Sequence, residues 1–409
     1  MRLLVVSQYF WPENFRINDL VAEMVQRGHE VTVLTGIPNY PDGKVNPDFL
    51  RSPELYLEWA GARIFRVPMI VRGQGAVRLL MNYLSFLLSA STLGLWKLRR
   101  TSFDAIFVCQ LSPVTSALPA VLLRAIKRTP IAMWVLDLWP ESLSAVGAIR
   151  SKWLLAMVGH LVSFIYRHCD LILVQSKSFR PVIKRLTGAQ MRVEYFPGWA
   201  ESIFTNEMVQ PAVEIPVSPN SFNVMFAGNI GDAQDFPSIL KAAEILRNLP
   251  EIRWLIVGDG RAADWVNSEI ERRGLTNKVI MVGRYPLERM PAFFRHADAL
   301  LVALRDEPIF AMTIPGKIQT YLATGIPIVA MINGEGAKVI SETRSGLVSS
   351  AGDAEGLAQS ILALYRMSPE DRIQIGSCGK RTYLREFDRA NLMDQVESWL
   401  INLKIKSIS

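Results

Sequence analysis

DEPIFAMTIPGKIQTYLATGIPIVAM, residues 306–331, is the stretch on which the reading of the whole chain turns. It reads as a loop, a short helix opened by Pro315 and Gly316 and stopped at Gly325, then a buried strand from Ile328 to Met331. The first N–H groups of a helix have no intrahelical partner and the dipole is positive there, so such a turn is suited to anions. Lys317 adds a full charge. One such segment is also what any strand-loop-helix connection looks like, and only the surrounding chain separates the two readings.

At 409 residues the chain is expected to divide into two or three domains. With 50% hydrophobic and 20% charged residues it is a globular protein. A net charge of +7 favours contact with anions, among them sugar phosphates and anionic lipid headgroups. No nucleic-acid signature or basic tail is present, so no nucleic-acid partner is expected. Cys109, Cys169 and Cys378 are few and far apart, which suggests a reducing compartment, no zinc site and a role as buried small hydrophobes. The opening MRLLVVSQYFWPEN reads as a first strand, not a signal peptide.

Between Leu79 and Trp96 there is no charged residue, while Arg72, Arg78, Lys97, Arg99 and Arg100 flank the run. Its length touches that of a membrane span, but Asn82 and several Ser and Thr residues dilute it. The expectation is a helix that is buried or touches a membrane surface, ahead of a true span.

Strands are expected at Leu3–Ser7, Glu30–Thr35, Arg63–Val67, Ala105–Val108, Ile131–Leu136 and Leu171–Val174, with a helix over Asn18–Gln26. The alternation implies a parallel α/β sheet with right-handed crossovers. No glycine fingerprint follows the first strand, so no nicotinamide or flavin cofactor is expected. A linker is placed between Met191 and about Pro219, and a second αβ series begins at Asn223. The predicted domains are residues 1–198, 199–385 and a C-terminal helical segment, 386–409, that either stays with the second domain or packs back on the first. A long helical pattern runs from Arg381 to Ile405.

The ordered set FAGNIG, VGDGR (257–261), VGRYPLERMPAFFRHADALLV (282–302), PGKIQTYLATGIPIVA (315–330) and SGLVSSAGDAEGLAQSI (345–361) resembles the C-terminal half of a GT-B glycosyltransferase of retaining family 4. SQYFWPEN and DLWPES (137–142) look like a bacterial branch that transfers N-acetyl-fucosamine-type sugars in O-antigen, capsule or colanic-acid assembly. The resemblance implies two facing Rossmann-like domains with a cleft between them. It also implies a UDP-sugar donor held by the second domain, a polyprenyl-diphosphate-linked saccharide acceptor held by the first, and no cofactor or metal. The implied location is cytoplasmic, on the inner face of the plasma membrane. Two departures stand out. Where family members carry two glutamates with seven residues between them, this chain has Met312 and Thr320, and where they carry a basic residue after the loop glycine it has Asn229.

Leaving-group charge then falls to helix N–H groups and cations. Gly228, Asn229, Gly231, Pro315, Gly316 and Lys317 are the candidates for the diphosphate, with Lys317 counted as catalytic, and Thr320 for the ribose. Arg284 and Tyr285 are placed at the nucleobase, although Tyr285 fits a core position nearly as well. Asp306 and Glu307 are assigned to donor-sugar hydroxyls. Asp137 and Glu141 follow an apolar strand and would hold or deprotonate the acceptor hydroxyl, while an Asp there equally caps the next turn. Glu13, Asn14 and Arg16 belong to a first loop that, by the resemblance, approaches diphosphate and acceptor. Two other readings remain: a UDP-sugar 2-epimerase, and a non-catalytic sugar-nucleotide-binding scaffold.

Overall fold

The computed structural model describes residues 1–409 apart from 42, 74, 146, 148, 150, 206–208, 217, 219 and 409. By internal contacts the chain divides into two units, Met1–Pro197 with Ala390–Ser409, and Gly198–Arg389. Four positions of the expected linker, 206–208 and 217, and its far end at 219 lie outside the described residues.

The first unit is built on strands β1 (Arg2–Val6), β2 (Glu30–Gly36), β3 (Glu58–Trp59), β4 (Ala62–Val67), β5 (Ala105–Gln110), β6 (Ile131–Val135), β7 (Leu171–Val174) and β8 (Val193–Tyr195). Their order is β3-β4-β2-β1-β5-β6-β7-β8, parallel except for the β3–β4 pair. Every residue of β5, β6 and β7 is buried, as their unbroken apolar runs require of strands covered on both faces. β3 and β8 are too short for periodicity to reveal, and β8 occupies part of the stretch expected to be linker.

The second unit carries β9 (Phe222–Ala227), β10 (Ile252–Val257), β11 (Val279–Gly283), β12 (Ala299–Ala303), β13 (Ile328–Met331) and β14 (Gly346–Ser349). The order β11-β10-β9-β12-β13-β14 is all parallel, and the direction of winding reverses between β9 and β12. Ligands of open parallel sheets collect beyond the strand ends at such a reversal.

Two expectations need correction. The pattern from Arg381 to Ile405 is not one helix. Pro369–Thr382 runs on through a wide turn to Phe387, Asp388 is extended, and a new helix spans Arg389–Ile408. That last helix docks on the first unit: Leu392, Met393, Val396, Leu400 and Leu403 are buried, and Arg27 reaches Asp394 at 2.6 Å and Glu397 at 2.7 Å. The second correction concerns Cys378, which is half-buried, whereas Cys109 and Cys169 lie in the core as expected.

The apolar helix spans Val77–Leu98 and is long and apolar enough to cross a membrane. It lies on the first sheet instead. Asn82, Phe86, Ala90, Gly94 and Leu98, four residues apart in sequence, form a buried seam. Asn82 sits in a polar knot: its Oδ1 accepts from Gln8 Nε2 at 2.8 Å and Tyr9 Oη at 3.0 Å, and its Nδ2 donates to the Ile70 carbonyl at 2.6 Å. Asn82, a polar residue that dilutes the apolar run, is thus one of its anchors.

Candidate functional site: a buried lysine beneath two glycine loops

In the second unit, β9 and β10 end in glycine loops that touch. Gly228 (φ +131°) donates its N–H to the Val257 carbonyl at 2.8 Å, and a Cβ on Gly258 (φ +152°) would lie 1.9 Å from the Gly228 oxygen. Only glycine fits that approach.

The stretch 306–331 folds as its sequence implies. Pro315 precedes the helix Gly316–Thr324, Gly325 ends it in the left-handed region (φ +70°), and β13 follows. Tyr321 fastens this helix to the end of β9, its hydroxyl standing 3.3 Å from the Ala227 nitrogen and 3.4 Å from its oxygen. Lys317 is thereby carried under the Gly228 loop. A Cβ on Gly228 would stand 2.8 Å from Lys317 Cε.

The Lys317 amine lies 3.5 Å from the centroid of the Phe226 ring and, among the described residues, has no hydrogen-bond partner. The stem keeps some exposure, but the amine is buried, and that burial lowers its pKa to about 7. The lost hydration disfavours the charged form by on the order of 5 kcal/mol. A cation over a phenyl ring recovers about 2 kcal/mol, and the helix N-terminus repels a cation. An anion placed over the same helix turn offsets both unfavourable terms, pairing with the amine and meeting the helix N-terminus.

The other residues expected in this unit are placed less uniformly. The Gly228 and Gly231 N–H groups are already engaged, the latter by Gln234 Oε1 at 3.1 Å, so neither serves as the free diphosphate donor expected of it. Asn229 is exposed beside them. Thr320 is buried one helical turn after Lys317. Asp306, exposed, accepts from Asn333 Nδ2 at 2.8 Å, and the backbone of Glu307 opens the short helix Pro308–Met312. Arg284 is exposed, while half-buried Tyr285 packs on Phe293, ring centroids 4.4 Å apart, which favours its core reading. Phe226, Gly258 and Asn333 were not foreseen; VGDGR was the one signal for Gly258.

In the first unit Glu13 bonds to a neighbouring loop. The carboxylate is buried and accepts from the Asn39 and Tyr40 N–H groups at 2.7 and 2.6 Å. Burial raises its pKa, opposed by those hydrogen bonds. It therefore ties two loops together. Asn14 is exposed, and Arg16 is the first residue of the helix Arg16–Gln26, which begins two residues earlier than expected. Asp137 accepts from Trp139 Nε1 at 2.9 Å and from the Ser142 hydroxyl, the hydrogen bonds expected of an Asp that caps the next turn. Glu141 differs: its Oε2 is buried with no hydrogen-bond partner among the described residues, as is the Tyr166 hydroxyl.

Residues 14–199 match the family model described as a glycosyl transferase 4-like domain, and residues 221–367 match the one described as glycosyl transferases group 1. With the two parallel sheets, these matches define a glycosyltransferase of the GT-B fold. Among curated relatives the chain is similar to the putative colanic acid biosynthesis glycosyl transferase WcaI of Escherichia coli K12, 25% identical over 80% of this chain and 82% of that one. It is also similar to the probable glycosyltransferase WbjE of Pseudomonas aeruginosa, 26% identical over 59% of this chain and under two thirds, 63%, of that one. Among solved structures, Anabaena HepE in complex with UDP superposes with a TM-score of 0.66 at 14% identity, covering 98% of this chain and 99% of that one. Sucrose-phosphate synthase of Thermosynechococcus elongatus gives 0.71 at 15% identity, covering 98% of each.

Proposed function

We propose that this protein is a retaining glycosyltransferase that moves a sugar from a UDP donor to a lipid-diphosphate-linked saccharide in bacterial surface polysaccharide assembly. The donor sugar is an N-acetylated deoxyhexosamine, and the enzyme works in the cytoplasm on the inner face of the plasma membrane. The observation that carries this reading is the buried Lys317 amine, without a hydrogen-bond partner among the described residues, at the mouth of the helix Gly316–Thr324. Lysine and helix together would meet the charge on the departing diphosphate without a metal. The bond from anomeric carbon to diphosphate breaks with its electron pair going to phosphate. The acceptor hydroxyl forms the new bond on the same face, and its proton passes to the departing phosphate. Glu141, with a buried carboxylate oxygen left open, is the better candidate for holding the acceptor in the first unit. HepE binds UDP in its solved complex and WcaI is assigned to colanic acid biosynthesis; both support the donor and pathway class proposed here.

The test is a screen of UDP-, GDP- and dTDP-sugars against a short lipid-diphosphate-linked GlcNAc acceptor, read by mass. A UDP-sugar should give the extended lipid, and Lys317→Ala should lower turnover by about a hundredfold or more with folding intact. A preference for GDP-sugars, or an epimer formed from donor alone, would overturn the reading.

A further inference from the structure

The exposed side of the helix Val77–Leu98 has neighbours of the same kind. Steps from β4 to β5, β5 to β6 and β6 to β7 all run in one direction across the first sheet. With right-handed crossovers, the helices they contain share one face of it. These are Val77–Leu98, Leu118–Lys127 and Lys152–Arg167. The second packs on the first around residues 90–94. The second and third line a common groove of about 600 Å³, with Leu122, Ala125, Phe164 and His168 in its walls.

Each helix turns large apolar side chains outward. Val77, Met81, Leu84 and Leu88 follow one stripe of the first helix, opposite its buried seam, and Trp96 is 61% exposed. Leu122 and Ile126 lie one turn apart on the second, and Trp153, Met157 and Phe164 follow one side of the third. The three helical segments carry charge of one sign. Residues 77–100 hold four Lys or Arg, 118–128 three and 152–167 two, with no Asp or Glu in any of the three segments. One of the nine, Arg124, is ion-paired with Asp170 beyond the third helix.

We propose that these three helices form a docking face for an anionic bilayer, lying in the headgroup region with the apolar side chains inserted and the basic residues among lipid phosphates. Exposed apolar surface alone would fit several partners. A basic surround whose acid in the groove lining, Asp170, is already paired with Arg124 selects an anionic one, and helices parallel to a sheet face suit a plane. The Val77–Leu98 helix does not span, because leaving the sheet would strand Gln8, Tyr9 and Asn82. The proposal gives a surface to the membrane association in the proposed function. Binding is read without turnover, so failure here and failure of the donor reading are told apart.

The experiment is cosedimentation of the full chain with phosphatidylcholine vesicles, with and without phosphatidylglycerol. It is run on wild type, on Leu88→Ser/Trp96→Ser/Trp153→Ser, on Arg99→Glu/Arg100→Glu, and on Trp265→Ser, an exposed tryptophan of the second unit. Circular dichroism verifies folding, and light scattering gives the oligomeric state. Wild type and Trp265→Ser should bind phosphatidylglycerol vesicles, more weakly at high salt. Both face variants should lose binding at least tenfold while remaining folded monomers. The proposal is overturned if wild type stays in solution with these vesicles, if the face variants bind as wild type does, or if they instead dissociate a dimer while vesicle binding is unchanged.

Discussion

A lysine in the first turn of a helix, buried and without a hydrogen-bond partner, destabilises the protein that carries it unless something arrives to pair it. For Lys317 the sign is fixed by its lowered pKa of about 7 against an ordinary value of 10.5. Between those values the unfolded chain holds a proton that the folded chain does not, so the penalty is full below pH 7 and shrinks as pH rises towards 10.5. Lys317→Met should therefore raise the melting temperature of the ligand-free protein at pH about 6, with the gain diminishing by pH about 9. Thermal unfolding across that range measures it; a destabilised variant at the lower pH would remove the claim. The motif around Lys317 was legible in the sequence because proline, glycine and lysine each have a local meaning at a helix start. Its lack of a partner was not, since Phe226 and Gly228 close over it from about ninety positions away in the sequence. Glu13 shows the opposite failure. A carboxylate in a loop reads as a binding group until its loop partners, Asn39 and Tyr40, are seen. Glu13→Gln keeps an oxygen that can accept both N–H groups, so its turnover should stay within a few-fold of wild type, whereas Glu13→Ala should cost about 1–3 kcal/mol in denaturant unfolding.

Elements were legible where they carry their own punctuation. The helix ended by Gly325 and strands such as β7 and β12 fall where turn residues and apolar runs put them. Contacts between elements were not, and the touching loops after β9 and β10 are the case that matters. Gly228→Ala would set a Cβ against the Lys317 side chain in a backbone region unfavourable to alanine. We expect a stability loss of about 1–3 kcal/mol together with loss of UDP binding. A variant that folds and binds UDP normally would show that this loop does not meet the diphosphate. For the Val77–Leu98 helix, composition announced an apolar helix but could not say which side of it is buried. Asn82 supplies that answer, and Asn82→Ala should lower stability by about 1–3 kcal/mol because Gln8 and Tyr9 lose their acceptor.

For the whole molecule, the alternation of strand and helix was enough to specify two parallel sheets, because buried parallel strands leave unbroken apolar runs. The break at Asp388 escaped notice because helical periodicity continues on both sides of it. It separates the last helix of the second unit from one that completes the first. A chain ending at Asp388 would lose five buried apolar side chains, each contributing about 1.5–3 kcal/mol, a sum comparable with the entire stability of a domain. The first unit should then fail to fold while the second remains protected in hydrogen exchange; a native first unit in the truncated chain would contradict the assignment of that helix. Diphosphate binding, as proposed, rests on the second unit and its lysine. Calorimetric titration of UDP into wild type and Lys317→Met, at pH about 6 and about 8.5, addresses it directly. Wild type should bind at both, more weakly at the higher pH and with proton uptake there, while the variant loses affinity at least tenfold and shows no uptake through this residue. Equal affinity in the two proteins would contradict the claim that this amine awaits a diphosphate.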